Sequence, residues 1–178
     1  AQNQPLEMVM QKALDHARAT LTAEAGVLML ATDTDELRLV AHRGISVELI
    51  KTLAATKLRE TVGGQGILQR RPVALDISQY PGERLRPALV EEGIHSIASA
   101  PMLLGDKIIG ALTVGRKRPQ PFTEHELRLL SSLATQVAIF YDRATLRARL
   151  QATISLQDLT IKVLARLNSP RGTEEMLT

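Results

Sequence analysis

Four histidines, a cluster of glycines and a scatter of acids are the residues of this chain that could do chemistry. His16, His42, His95 and His125 could ligate a metal or, one at a time, a haem iron. Zinc needs several convergent ligands. These four are far apart in sequence, with no HxxxH or HxH spacing, so no metal site is expected. His42 and His95 lie near strand-like segments and are the candidates for a single axial ligand. The alternative for them is a solvent-edge strand histidine and a hydrogen-bonded loop histidine. Gly63-Gly64-Gln65-Gly66 has the glycine density of a phosphate cradle but lacks the Lys-Ser/Thr of a P-loop, and no buried strand immediately precedes it. A tight turn leading into a helix over Ile67–Arg70 is expected there instead. Asp76, Glu83, Glu91 and Glu92 do not pair on a recognisable face, and no Gly-x-Ser-x-Gly elbow is present. No nucleophile–base–orienter set can be assembled, so an enzyme is not expected. Cysteine is absent, which removes disulfides, thiol nucleophiles and thiolate metal sites together.

The elements that must position these groups belong to a foldable chain. Its 178 residues are 44% hydrophobic, enough for one domain with a real core and an extension. The net charge of +3 raises nucleic-acid binding, but 22 basic residues are interspersed with 19 acidic ones, and no helix carries a one-sided basic stripe. With two Phe, two Tyr and no Trp, a base-stacking platform is not expected either. Arg70-Arg71 and Arg116-Lys117-Arg118 read as solvated loop charges. No apolar run reaches the roughly 18 residues of a membrane span, and no secretory leader pattern is visible. A cytosolic location is expected.

Apolar residues recur at Leu6, Val9, Met10, Ala13, Leu14, Ala17 and Leu21, the spacing of a helix with one apolar stripe. Two strands follow, VLMLA and LRLVAHR, joined across Asp33–Glu36. Alternation in the second places Leu37, Leu39 and Ala41 on one face and Arg38, Val40 and His42 on the other. Short helices are predicted over 48–53, 61–70 and 84–92, with a short strand over 71–75 and a loop over 76–81. Two apolar runs, Ser96–Leu104 and Lys107–Val114, meet at Gly105-Asp106, a hairpin signal. Thr123 with Glu126 three residues on has capping-box spacing, and opens a helix without a breaker past Leu150. The segments VLMLA, IASAPMLL and KIIGALTV are apolar at successive positions, as strands buried on both faces are. The terminal helices supply the cover for one face. The insert over residues 46–93 must cover the other.

Gly64-Gln65-Gly66-Ile67, Arg71-Pro72-Val73, Asp76, Gly93-Ile94-His95-Ser96, Ala100-Pro101-Met102, Gly110-Ala111-Leu112 and Phe122-Thr123 stand in an order and spacing that resemble a GAF domain. The resemblance covers roughly residues 5–145. It implies an α+β fold, PAS-related: an antiparallel sheet with terminal helices packed on one face and a helical and loop insert on the other. Residues 146–178 then form a coiled-coil-like linker toward a further module, with a new helix opening at Thr173–Leu177. Nucleotide-binding members resemble a pattern of Asn-Lys, Phe and Asp-Glu. Here Phe122 is kept, the Asn and final acid are lost, and the charge pair becomes Arg116 and Glu126, read as an internal ion pair.

By family position, the resemblance implies a small-molecule pocket lined by Asp76, Tyr80, Leu85, Leu89, Ile97 and Ser99. Some members bind haem. A thioether-linked tetrapyrrole is excluded by the absence of cysteine. The functional expectation is a sensing and dimerisation module of a sensor kinase, cyclase or transcriptional regulator, signalling through its last helix. A ligand-free dimerisation spacer is the alternative. A homodimer is expected through a seam of Leu146, Leu150, Ile154, Ile161 and Leu164, with Gln157 as a polar interruption.

Overall fold

A computed structural model of the chain describes residues 4–34 and 36–169. Asp35, in the first interstrand turn, and the helix expected at Thr173–Leu177 lie outside the described residues. The elements run α1 (Gln4–Leu21), β1 (Ala25–Ala31), β2 (Leu37–Arg43), α2 (Val47–Ala54), α3 (Val62–Gln69), β3 (Val73–Asp76), α4 (Leu85–Glu91), β4 (Ser96–Leu104), β5 (Lys107–Arg116) and α5 (Glu124–Asn168). Single 3-10 turns occupy Leu58–Glu60 and Ile77–Gln79. The five strands form one sheet in the order β2-β1-β5-β4-β3. Every pairing is antiparallel. The chain divides after Tyr141 into two units.

In the first unit the sheet is covered on both sides. Leu28, Ala98, Ala100, Met102, Leu112 and Val114 face α1 and the first turns of α5, which contribute Met10, Leu14, Ala17 and Leu21, and Leu127, Leu130, Ala134 and Val137. These helical positions recur at spacings of three and four, so each helix buries one stripe. On the other face Ala25, Ile97 and Val73 pack with Leu49 of α2, Val62 of α3, Tyr80, and Leu85 and Leu89 of α4. Burial on both faces explains why β1, β4 and β5 carry runs of apolar residues rather than alternation. The β4–β5 turn places Gly105 at φ +57°, while Asp106 keeps a negative φ, the pattern of a II′ hairpin turn.

Two local expectations are corrected. Alternation along β2 fails because the register slips: Leu28 pairs with Ala41 but Met29 pairs with Leu39. Val40 is the extra residue of a β-bulge. Ala41 therefore shares the helix-covered face with Leu28, while Leu37 and Leu39 turn to the insert side opposite Ala31 and Met29. The glycine cluster does not form a turn. Gly63, Gly64 and Gly66 lie inside α3, capped by Thr61 Oγ1, which accepts from Gly64 N at 2.9 Å. Glycine is required there by close approach. A Cβ on Gly64 would fall 1.8 Å from the Leu58 carbonyl oxygen, and one on Gly63 3.2 Å from Ala111 Cβ on the sheet. The helix-weakening glycines are what let α3 lie against the strands.

The second unit, described to Ser169, is helix through Asn168, and its large apolar side chains are exposed. No helix among the described residues is long and apolar enough to cross a membrane.

Candidate functional site

Between the insert side of the sheet and its roof lies a small apolar cavity, partly open to solvent. Its floor is small: Ala25, Val27, Met29, Thr113 and Gly115 from β1 and β5, with Ile97 of β4. Its roof is Leu49 and Leu53 of α2, Val62 and Gly63 of α3, Tyr80, and Leu89 of α4. Paired strands place Ala25 opposite Gly115 and Val27 opposite Thr113, so the sheet offers methyls and hydrogens where larger side chains would have filled the gap.

The cavity measures about 50 Å³. One water takes roughly 10–15 Å³ of such space, so only a few atoms fit without movement. Clefts for drug-sized molecules run to roughly 300–1,000 Å³, and a ligand of that size requires the roof to lift. The roof is built of short helices held by a few polar ties. Ser46 N, at the N-cap of α2, donates to Glu92 Oε1 at 2.7 Å, and Glu92 lies 3.8 Å from Lys117 Nζ. Arg86 donates to the Tyr80 carbonyl through Nε at 3.1 Å and through Nη2.

No charged side chain and no histidine lines this space. Its polar groups are hydroxyls. Tyr80 is 3% exposed, and its phenolic oxygen accepts from Val62 N at 3.3 Å. Burial pushes the phenol up to about 12, against a smaller opposite pull from the Val62 N–H. Thr113 Oγ1 lies 2.7 Å from Ser99 Oγ, a buried pair beneath Gly63. Thr61 is occupied as the α3 cap and as a donor to the Leu58 carbonyl.

Of the six lining residues read from the sequence, Tyr80, Leu89 and Ile97 are in the wall. Leu85 is fully buried behind it in the same apolar cluster. Ser99 reaches the floor only through its bond to Thr113. Asp76 is exposed and caps the 77–79 turn, accepting from Ser78 N at 2.9 Å and Ser78 Oγ at 2.7 Å. Those bonds, the hydroxyl first, hold its carboxyl below the usual range. The floor residues Ala25, Val27, Thr113 and Gly115 were missed. Their signal was present: small residues in registered positions on two adjacent buried strands. All four histidines are exposed, so none is aimed into the cavity as an axial ligand would be. Among the described residues no group of three or more His, Asp or Glu could hold a metal ion.

A second groove, of about 900 Å³, lies toward the other end of the sheet. Lys57, Arg59, Glu36, Glu60 and Asp106 line it, mixed in sign, with Leu58, Ile67 and Ile108 between them. It is the larger space, and its mixed-sign lining sets it apart from the apolar cavity.

Away from both spaces, Arg116 is a buried charge, 1% exposed, at the end of β5. Its guanidinium donates to the Leu21 carbonyl at 2.6 Å, to the Pro121 carbonyl at 3.0 Å and to Glu126 Oε1 at 2.9 Å. It stacks 4.0 Å from the centroid of the Phe122 ring. Glu126 in turn accepts from Thr123 N at 3.0 Å while its own N–H donates to Thr123 Oγ1 at 3.2 Å, a capping box opening α5. Burial alone would raise the Glu126 carboxyl. The Arg116 and Thr123 hydrogen bonds and the Arg116 charge outweigh it and hold the group low. The retained Phe and the charge pair therefore tie together the end of α1, the end of β5 and the start of α5, on no wall of the cavity.

A five-stranded antiparallel sheet with helices on one face and a helical insert roofing a small apolar cavity on the other defines an α+β domain. Residues 3–142 match the family model described as GAF domain, and the chain belongs to that family. Among solved structures it is similar to the GAF domain of a phosphoenolpyruvate-protein phosphotransferase from Coxiella burnetii, at 24% identity, TM-score 0.68, covering 81% of this chain and 86% of that one. It is also similar to a GAF domain/HD domain protein from Geobacter sulfurreducens, at 15% identity and TM-score 0.68, over 82% and 99% of the two chains. The second GAF domain of DevS from Mycobacterium smegmatis matches at 20% identity and TM-score 0.63, over 80% and 97%. No curated protein matches this sequence.

Proposed function

We infer that residues 1–145 are a sensory GAF domain of a signal-transduction protein, that it binds a small uncharged molecule under the roof, and that residues 146–178 connect it to an output module. One observation carries this reading. The cavity is walled by apolar side chains with three hydroxyls, Thr61, Tyr80 and Thr113, and without a single charge. An anionic ligand would be stripped of water there with nothing to balance it, at a cost of several kcal/mol or more. Nucleotides are therefore disfavoured. So is haem, whose propionates and iron would both go unpartnered. A compact, mostly apolar molecule with one hydrogen-bond acceptor fits. Its acceptor would take the Tyr80 O–H, whose oxygen already serves Val62 N.

Signal output follows from the roof. A ligand larger than the present space lifts α2 or α4 and favours whichever state of the domain has the open roof. The helix α5 then transmits the bias within a homodimer. Native mass spectrometry of gently purified protein, compared with the same sample denatured, tests the reading. A neutral mass excess lost on denaturation, and lost also in Thr113→Leu, supports it. Retention of a nucleotide or haem, or an excess unaffected by filling the cavity, sinks it. A clean dimer without added mass, whose melting temperature does not move with any member of a small apolar ligand panel, favours the spacer reading.

A further inference from the structure

Among the described residues lining the cavity, Tyr80 alone is aromatic, and neither a helix nor a strand carries it. It lies on the strap between the Ile77–Gln79 turn and α4, where Gln79, Pro81, Glu83 and Arg84 around it are exposed. The strap thus turns one large side chain inward, into a cluster with Leu49, Val62, Leu85, Leu89 and Ile97. Its fixing is thin. The phenolic oxygen accepts from Val62 N at 3.3 Å, just past the usual N–H···O range. No group among the described residues accepts from the Tyr80 O–H, so apolar burial is what chiefly holds the ring. The strap hangs from α4. Arg86 donates to the Tyr80 carbonyl through Nε at 3.1 Å and through Nη2, and Arg86 N donates to the Gly82 carbonyl at 2.9 Å. A Cβ on Gly82 would stand 2.5 Å from the Glu60 carbonyl oxygen and 3.3 Å from Tyr80 Cε1, so the strap folds tightly over its own ring. Of the two roof helices, α4 is the one whose movement draws Tyr80 with it.

A benzene-sized guest takes a cavity of roughly 150 Å³. The present space of about 50 Å³ falls short of that by about the volume of one aromatic ring. Withdrawing the Tyr80 ring vacates such a volume beside the existing space, over Ala25 and Val27 and under Leu49 and Leu89. It also frees Val62 N, the first N–H of α3, to donate to another neutral oxygen. No other wall side chain offers both. Displacing an aliphatic one would free volume but no donor. The hydroxyls of Thr61 and Thr113 are already engaged, by Gly64 N and the Leu58 carbonyl and by Ser99 Oγ. The slot that Tyr80 fills is therefore flat, apolar along its length and provided with one N–H at its end. An uncharged ring with a single oxygen matches it, and a charged substituent would find no partner in the wall.

We propose that Tyr80 is an intramolecular plug standing in the ligand's place, and that the ligand is a neutral monocyclic aromatic with one hydroxyl or carbonyl oxygen. It displaces the phenol and accepts from Val62 N. The proposal rests on the small-molecule reading above and adds the ligand class and the part that moves. A plug that is mostly closed raises the apparent Kd by the inverse of the open fraction. The probe is p-cresol, which is the tyrosine side chain cut free at Cβ. It is titrated into the full chain carrying 3-fluorotyrosine at Tyr80 and Tyr141, followed by fluorine NMR, and into wild type, Tyr80→Ala and Thr113→Leu by calorimetry. At saturation the Tyr80 resonance is expected to move to that of an exposed tyrosine. For an open fraction of about 10% or less, Tyr80→Ala binds p-cresol at least about tenfold more tightly than wild type. Thr113→Leu, which fills the floor, weakens binding. Saturation that Thr113→Leu weakens, with the Tyr80 resonance unmoved, overturns the plug and leaves the small-molecule reading standing. A folded Tyr80→Ala that binds no more tightly than wild type also overturns the plug. If Tyr80→Ala does not fold, the fluorine measurement on the unsubstituted chain decides alone. Binding of 4-hydroxybenzoate as tight as that of p-cresol overturns the neutral class. Failure of wild type and Tyr80→Ala alike to bind p-cresol overturns the proposal, and if native mass spectrometry also finds no neutral mass excess, the small-molecule reading falls with it.

Discussion

Replacing Arg116 with Met keeps the length of the side chain and its contact with Phe122, but removes every donor at the junction of α1, β5 and α5. The Leu21 carbonyl, buried with its residue, loses its 2.6 Å bond, and the Pro121 carbonyl its 3.0 Å bond. An unsatisfied buried acceptor costs about 1–3 kcal/mol. Glu126 loses its partner too, but its side chain is 23% exposed and still accepts from Thr123 N, so water recovers part of that loss. Breaking a buried ion pair costs about 3–5 kcal/mol; the partial exposure of Glu126 puts this one near the lower end, at about 3 kcal/mol. For a chain of this size that lowers Tm by about 6–12 °C. Urea unfolding followed by circular dichroism gives the free energy directly. The acid limb supplies an independent check. Glu126 is held below the ordinary carboxylate value of 4.5, so its contribution is fully present above that value and is lost as pH falls through the lower folded one. In Arg116→Met that part of the acid dependence flattens. A loss below about 1 kcal/mol with an unchanged acid limb would show that the junction is solvated and refute the reasoning.

Three further outcomes are expected. Tyr80→Phe leaves Val62 N without its acceptor and destabilises by about 1–3 kcal/mol, read by the same unfolding assay; a neutral effect means water reaches the roof. In ultraviolet titration of the folded protein one of the two tyrosines ionises only near pH 12, and stability contributed by the raised Tyr80 phenol is present below about 10 and falls as pH rises from there to about 12; two ordinary titrations would place Tyr80 at the surface. Gly64→Ala, which in an exposed helix gains about 1 kcal/mol, here destabilises by about 2 kcal/mol or more, since the new methyl meets the Leu58 carbonyl; a stabilised variant would show that α3 does not press on the preceding turn.

What the sequence determined by itself was set by local chemistry and burial. Uninterrupted apolar runs marked β1, β4 and β5 as strands covered on both faces. Spacing of three and four marked α1 and α5, Gly105-Asp106 marked the hairpin, and Thr123 with Glu126 marked the start of α5. Each of those signals lies within a few residues of the feature it specifies. The tertiary structure decided what depends on distant neighbours. Gly63 and Gly64 are helical because a helix without side chains there can lie on Ala111 and Leu58, residues that no local rule connects to them. The bulge at Val40 exists because β2 must match the register of β1, and it turns Leu37 and Leu39 away from Ala41. The candidate site is the extreme case. Its floor is defined by what Ala25, Val27, Thr113 and Gly115 leave unfilled once three strands are in register, and a missing volume has no residue to announce it.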